Sequence, residues 1–114
     1  MELLATAIRE QPSKGGRMHA RVSFYDASTE GVDAGIEQFR SVTASVEQMQ
    51  GSQGGMLLVD RENGKAITIT LWDSADDLEA TSEQANQIRQ QVADTAGLSI
   101  RSVEGYEVAV EFGS

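Results

Sequence analysis

The 114-residue chain contains no cysteine, which rules out disulfides, thiolate metal sites and cysteine nucleophiles. Its fold must rest on packing alone, and this length suffices for one domain with a single core. Histidine occurs once, at His19, so a metal site would have one imidazole and scattered carboxylates without ligand spacing. Basic residues are scarce, 9 Lys and Arg against 18 Asp and Glu, and the net charge is −9. That balance argues against nucleic acid or an anionic membrane as partner, since both require clustered cations. No apolar run approaches the ~20 residues of a membrane span. The N-terminus lacks the long apolar stretch of a signal peptide, so a cytoplasmic location is expected by default. The glycine-rich pieces match neither a phosphate-binding loop nor a dinucleotide fingerprint.

Proline also occurs once, at Pro12, and it marks a change along the chain. Residues 1–17 hold Pro12, Gly15 and Gly16 and a charge of +1, from Arg9, Lys14 and Arg17 against Glu2 and Glu10. They are expected to form a flexible extension, with residues 18–114 as the folded domain. "MHARVSFYD", residues 18–26, alternates as a strand does. Met18, Ala20, Val22 and Phe24 form one row and His19, Arg21, Ser23 and Tyr25 the other, as in a strand with one dry face. From about Thr29 to Gln50 the period becomes helical, with Val32, Ile36, Phe39, Thr43, Val46 and Met49 on the inner stripe. "GSQGG" is expected to end that helix with a turn.

Met56–Asp60 and Ala66–Trp72 read as two strands joined at Asn63-Gly64, a strong hairpin signal. Ser74, with Asp77 three residues on, starts a second helix like a capping box, and Asp76, Asp77 and Glu79 suit the positive end of its dipole. Its inner stripe runs through Leu78, Thr81, Ala85, Ile88, Val92 and Ala96, and Gly97 stops it. Alternation returns from Val103 to Phe112 as a long last strand. The order β-α-β-β-α-β is that of an α+β, ferredoxin-like fold with a four-stranded antiparallel sheet and both helices on one face. The open face then carries one row of each strand. Both rows hold too much apolar or aromatic surface for water, so two sheets are expected to press together as a homodimer.

The glycine pair Gly54-Gly55 before "MLLVD", the Asn63-Gly64 hairpin and "TLWDSADDLEA" (70–80) carry a further reading. With the element order, they resemble the antibiotic biosynthesis monooxygenase-like superfamily of dimeric α/β barrels, over residues 18–112. The resemblance implies a hydrophobic pocket between sheet and helices, with Trp72 as a wall. Its monooxygenases oxidise reduced polycyclic aromatics with oxygen and no metal or flavin. Where they hold the substrate oxygen with an asparagine, this chain has Thr68. Where haem-degrading relatives carry a histidine ligand, nine or ten residues past the tryptophan, it has Thr81 and Ser82. The implied activity is cofactor-independent oxygenation of a planar hydrophobic molecule; the alternative is a non-catalytic dimeric ligand-binding or stress-associated module.

The candidate catalytic residues are Trp72 as pocket wall, Thr68 as hydrogen-bond donor to a developing oxyanion, and His19 as general base, the one side chain titrating near neutrality. Thr70 shares the row of Thr68, and Tyr25 offers a phenol hydroxyl to orient a planar ligand. Phe39 and Met56 are candidates to line the cavity. Arg89, one residue past Ile88 and so beside the inner stripe, is a candidate to reach an anionic group at the pocket mouth. For each of these the plainer role is packing or a solvated face.

Overall fold

The computed structural model describes residues 17–28 and 30–113. Apart from Arg17, the extension expected over 1–17 lies outside the described residues. The elements in chain order are β1 (His19–Asp26), α1 (Gly31–Glu47), β2 (Ser52–Asp60), β3 (Lys65–Trp72), α2 (Ala75–Ala80), α3 (Ser82–Ala96) and β4 (Ser99–Glu107). The strands form one antiparallel sheet in the order β2-β3-β1-β4. β1 and β2 are thus parallel with β3 between them, and β3 and β4 parallel with β1 between them. This is the split βαβ arrangement expected from the sequence.

Register assigns the faces. Arg21, Ser23 and Tyr25 stand opposite Thr70, Thr68 and Ala66, while Ala20, Val22 and Phe24 stand opposite Leu71, Ile69 and Ile67. The helices cover the first of these rows. Arg21, Ser23 and Tyr25 are only 6%, 2% and 5% exposed, whereas Val22 and Phe24 are half-buried. Alternation leaves open which row the helices cover, and it is the polar one. The physical reason is that hydrophobicity alone does not choose the face a helix layer covers when both rows can be buried by something. On the uncovered face β2 adds Met56 and Leu58, 48% and 45% exposed.

Local signals mostly became the structures they suggest, with shifted ends. Ser74 Oγ accepts the Asp77 N–H at 3.1 Å, the expected cap of α2. Gly97 ends α3 in the left-handed conformation, φ 73°. The second helix, expected as one piece, breaks at Thr81. The Leu78 carbonyl there accepts from Arg21 Nη2 (2.5 Å), Ser82 Oγ (3.1 Å) and Thr81 Oγ1 (3.2 Å). Side-chain donors thus take over the carbonyl that would have continued the helical ladder. In α1, Val42 rather than Thr43 joins the inward row, and the Thr43 hydroxyl donates to the Arg40 carbonyl.

"GSQGG" is largely strand, since β2 begins at Ser52 and is irregular only between Ser52 and Gly55. The β2–β3 connection is a four-residue loop, 61–64. Asp60 accepts from the Asn63 N–H and Nδ2, which holds its carboxyl below the usual carboxylate range. Gly64 carries a positive φ of 63°, and a Cβ there would lie 2.1 Å from the Ala27 carbonyl oxygen. The last strand starts and stops earlier than expected. Glu107 already pairs with His19, the first residue of β1, so the ladder has no further partner. Only the Val108 N–H continues it, to the Met18 carbonyl at 2.9 Å. Val110 and Phe112 lie beyond, 81% and 94% exposed.

Candidate functional site

Between the sheet and the two long helices lies a cavity of about 60 Å³, room for roughly four or five waters. Its floor is the covered row of β1 and β3: Arg21, Ser23 and Tyr25 with Thr68, Thr70 and Trp72. α1 supplies an apolar wall through Phe39, Val42 and Val46. α3 supplies the opposite wall, where Arg89 stands among Ala85, Ile88 and Val92. A smaller apolar annexe of about 20 Å³ shares Tyr25, Phe39, Thr68 and Val92 and extends toward Val32 and Leu57. The site therefore has a polar end near Trp72 and an apolar end under α1.

Trp72 is 1% exposed, and its indole N–H donates to Thr70 Oγ1 at 3.0 Å. That bond satisfies the polar atom of the ring and leaves its apolar surface as a wall. Thr70 acts as acceptor in it, so its own O–H remains able to donate into the cavity. The Arg21 guanidinium lies over the indole, 5.0 Å from the ring centroid, a cation–π contact. Its Nη2 donates to the Leu78 carbonyl and to Thr81 Oγ1 at 3.3 Å. Its Nη1 is buried without a hydrogen-bond partner among the described residues. Burial, then the charge of Arg89, brings the Arg21 pKa down to about 10. Arg89 donates from Nε to Ser23 Oγ (3.1 Å) and from Nη1 to Asn86 Oδ1 (2.5 Å). Burial lowers its pKa, while the neighbouring Tyr25 phenol works in the opposite direction.

The structure brings Thr68, Thr70, Trp72, Tyr25, Phe39 and Arg89 to this one cavity. It does not bring His19 or Met56 there. His19 sits at the start of β1 with Nδ1 hydrogen-bonded to the Arg17 carbonyl at 2.9 Å. Met56 pairs with Ile69 and therefore projects from the uncovered sheet face. Arg89 is not at a pocket mouth but 8% exposed on the inner side of α3. The spacing 85-89-92-96 passes through it, a helical row that the stripe drawn through Ile88 overlooked. Arg21 and Ser23 are the site residues that sequence reasoning underweighted. Their signal is alternation with Tyr25, usable only once the covered face is known. Among the described residues, no three His, Asp or Glu side chains are grouped to hold a metal ion.

Solved structures share this fold. SnoaB, a cofactor-independent oxygenase from Streptomyces nogalater, superposes in a variant form with a TM-score of 0.67 at 13% identity, covering 86% of this chain and 99% of that one. A candidate antibiotic biosynthesis monooxygenase from Nitrosomonas europaea gives 0.64 at 17% identity, over 90% of this chain and all of that one. The chain has the antibiotic biosynthesis monooxygenase-like fold. The haem-degrader MhuD of Mycobacterium tuberculosis has the same fold, with a TM-score of 0.64 at 17% identity, over 83% of this chain and 99% of that one.

In sequence, the chain is similar to two uncharacterised proteins of Mycobacterium tuberculosis strain H37Rv. Rv2557 is 33% identical over 104 residues, 90% of this chain and 46% of that protein. Rv2558 is 30% identical over 107 residues, 93% of this chain and 45% of that protein. The chain thus spans about half the length of these curated relatives. No protein-family profile matches it. Among the described residues no helix is long and apolar enough to cross a membrane.

Proposed function

We propose that this chain is the subunit of a homodimeric enzyme that oxygenates a small planar molecule without a cofactor. The observation that carries the reading is the make-up of the cavity: an indole wall and threonine hydroxyls from one strand, facing apolar helix walls. In such a reaction the substrate supplies both electrons. A doubly activated CH2 becomes C=O, one atom of dioxygen stays on the carbon, and the other leaves as water with the two hydrogens. The chain's own part is to exclude water, fix the ring against Trp72, and donate from Thr68 or Thr70 to the substrate oxygen. At about 60 Å³ the closed cavity is smaller than one aromatic ring, so side chains lining it must move to admit a planar ligand.

The dimer is proposed from the uncovered sheet face, where Val22, Phe24, Ile67, Ile69 and Leu71 form a contiguous apolar surface flanked by Met56 and Leu58. A patch of that kind marks an association surface. One observation favours a second reading, a ligand-binding module without catalysis. Among the described residues no carboxylate or imidazole lines the cavity, so a proton must pass to water or to the substrate itself.

Indane-1,3-dione, a small planar carbon acid, separates the two readings. The enzyme reading predicts saturable oxygen uptake that falls at least ~10-fold in Thr68→Val while thermal unfolding is unchanged. Saturable quenching of Trp72 fluorescence with no oxygen uptake would instead select the binding module.

A further inference from the structure

Arg21 on the sheet floor and Arg89 on the α3 wall both line the cavity, 6% and 8% exposed. Buried arginines almost always meet a carboxylate, because removing a cation from water costs several kcal/mol that only an opposite charge recovers well. These two do not. Their acceptors are all neutral: the Leu78 carbonyl, the Thr81, Ser82 and Ser23 hydroxyls, and the Asn86 amide oxygen. Among the described residues, neither arginine forms a salt bridge. Among the described residues no acidic side chain lines the cavity, in a chain that carries twice as many acidic as basic side chains. One guanidinium nitrogen, Arg21 Nη1, is buried with no acceptor among the described residues.

We propose that Arg21 and Arg89 form a paired cationic site for an organic carboxylate, so that the ligand of this cavity is a small planar acid with its ring against Trp72 and its carboxylate between the two guanidiniums. The inference rests on the reading of the cavity as a small-molecule site and names the class of molecule. A flat carboxylate matches the planar fork of a guanidinium and accepts two parallel N–H donors from it. A carboxylate entering here offsets both the burial of the Arg21 guanidinium and the nearby charge of Arg89, the two causes that lower the Arg21 pKa, burial being the larger. The apolar annexe beyond Tyr25 and Phe39 gives the ring edge a place away from the charge. The guanidinium stacked on the indole couples occupancy to the fluorescence of the single tryptophan.

The test is a matched titration of the full chain with benzoate, benzamide and inorganic phosphate, followed by Trp72 fluorescence. The expected result is saturable benzoate binding, one per subunit, at least ~10-fold tighter than benzamide. In Arg89→Gln benzoate is expected to weaken at least ~10-fold while benzamide is unchanged. The benzoate–benzamide comparison in the unaltered protein stands whether or not that variant folds. Equal binding of benzoate and benzamide overturns the cationic site but leaves the cavity as a ligand site. Phosphate binding as tightly as benzoate overturns the assignment to a carboxylate. No response to either aromatic overturns both this inference and the reading beneath it.

Discussion

The two faces of the sheet are built the opposite way round from a simple amphipathic layer. The face under the helices carries Arg21, Ser23, Tyr25, Thr68, Thr70 and Trp72, and the face away from them carries Val22, Phe24, Ile67, Ile69 and Leu71. A protein selected only for stability as a monomer would put the second set inside. Burying charge costs several kcal/mol per ion, and leaving aliphatic surface in water forfeits about 25 cal/mol per Å². On the proposed reading, each face answers to something outside the protomer: a ligand on the covered side, a second protomer on the other. Stability is spent inside to make a site, and the uncovered face is where association can restore it.

That contrast can be broken or sharpened at chosen positions. Trp72→Ala removes the largest fully buried side chain and is expected to cost about 3–5 kcal/mol in chemical denaturation. Ile69→Glu places a charge in the middle of the uncovered apolar row, opposite Val22 and Met56. It is expected to weaken self-association by roughly 100-fold or more, about 3 kcal/mol, in sedimentation measurements, with the cavity intact. Ser74→Ala touches neither face and is expected to cost about 1 kcal/mol through loss of the α2 cap.

The smallest effect concerns Arg21, whose folded-state pKa of about 10 lies below its value in an unfolded chain. Below that pH both states hold the proton and the penalty for the buried charge is constant. Above it the folded state releases the proton first, so this residue's contribution to stability rises with pH. The stability of Arg21→Met relative to the unaltered protein is therefore expected to fall as pH rises through about 10.

What was legible in the sequence was local. The order of elements, the Ser74 cap and the Gly97 stop are each written within a few residues, and each appears in the structure. The ends of β4 were not, because they depend on where β1 begins, some 90 residues earlier. The break at Thr81 was not, because it needs Arg21 to reach the Leu78 carbonyl from the sheet. Most of all, the choice of face was not. Alternation tells which residues share a side of a strand, and both sides here combine surface worth burying with a role to fill. The candidate site was therefore found through Thr68, Thr70 and Trp72, which lie on one row whichever way it turns. His19 and Met56, chosen by residue type, fell elsewhere, and the burial of Arg21 beneath the helices emerged only from the assembled sheet.

The most direct test of the face assignment uses Trp72 as the reporter in the Ile69→Glu variant, with acrylamide as the quencher. If the tryptophan row lies under the helices of its own protomer, Trp72 stays protected when self-association is lost, and the quenching constant matches that of the unaltered protein. A several-fold rise in quenching, in a variant shown to be folded and monomeric, would place Trp72 on the face between protomers and contradict the account.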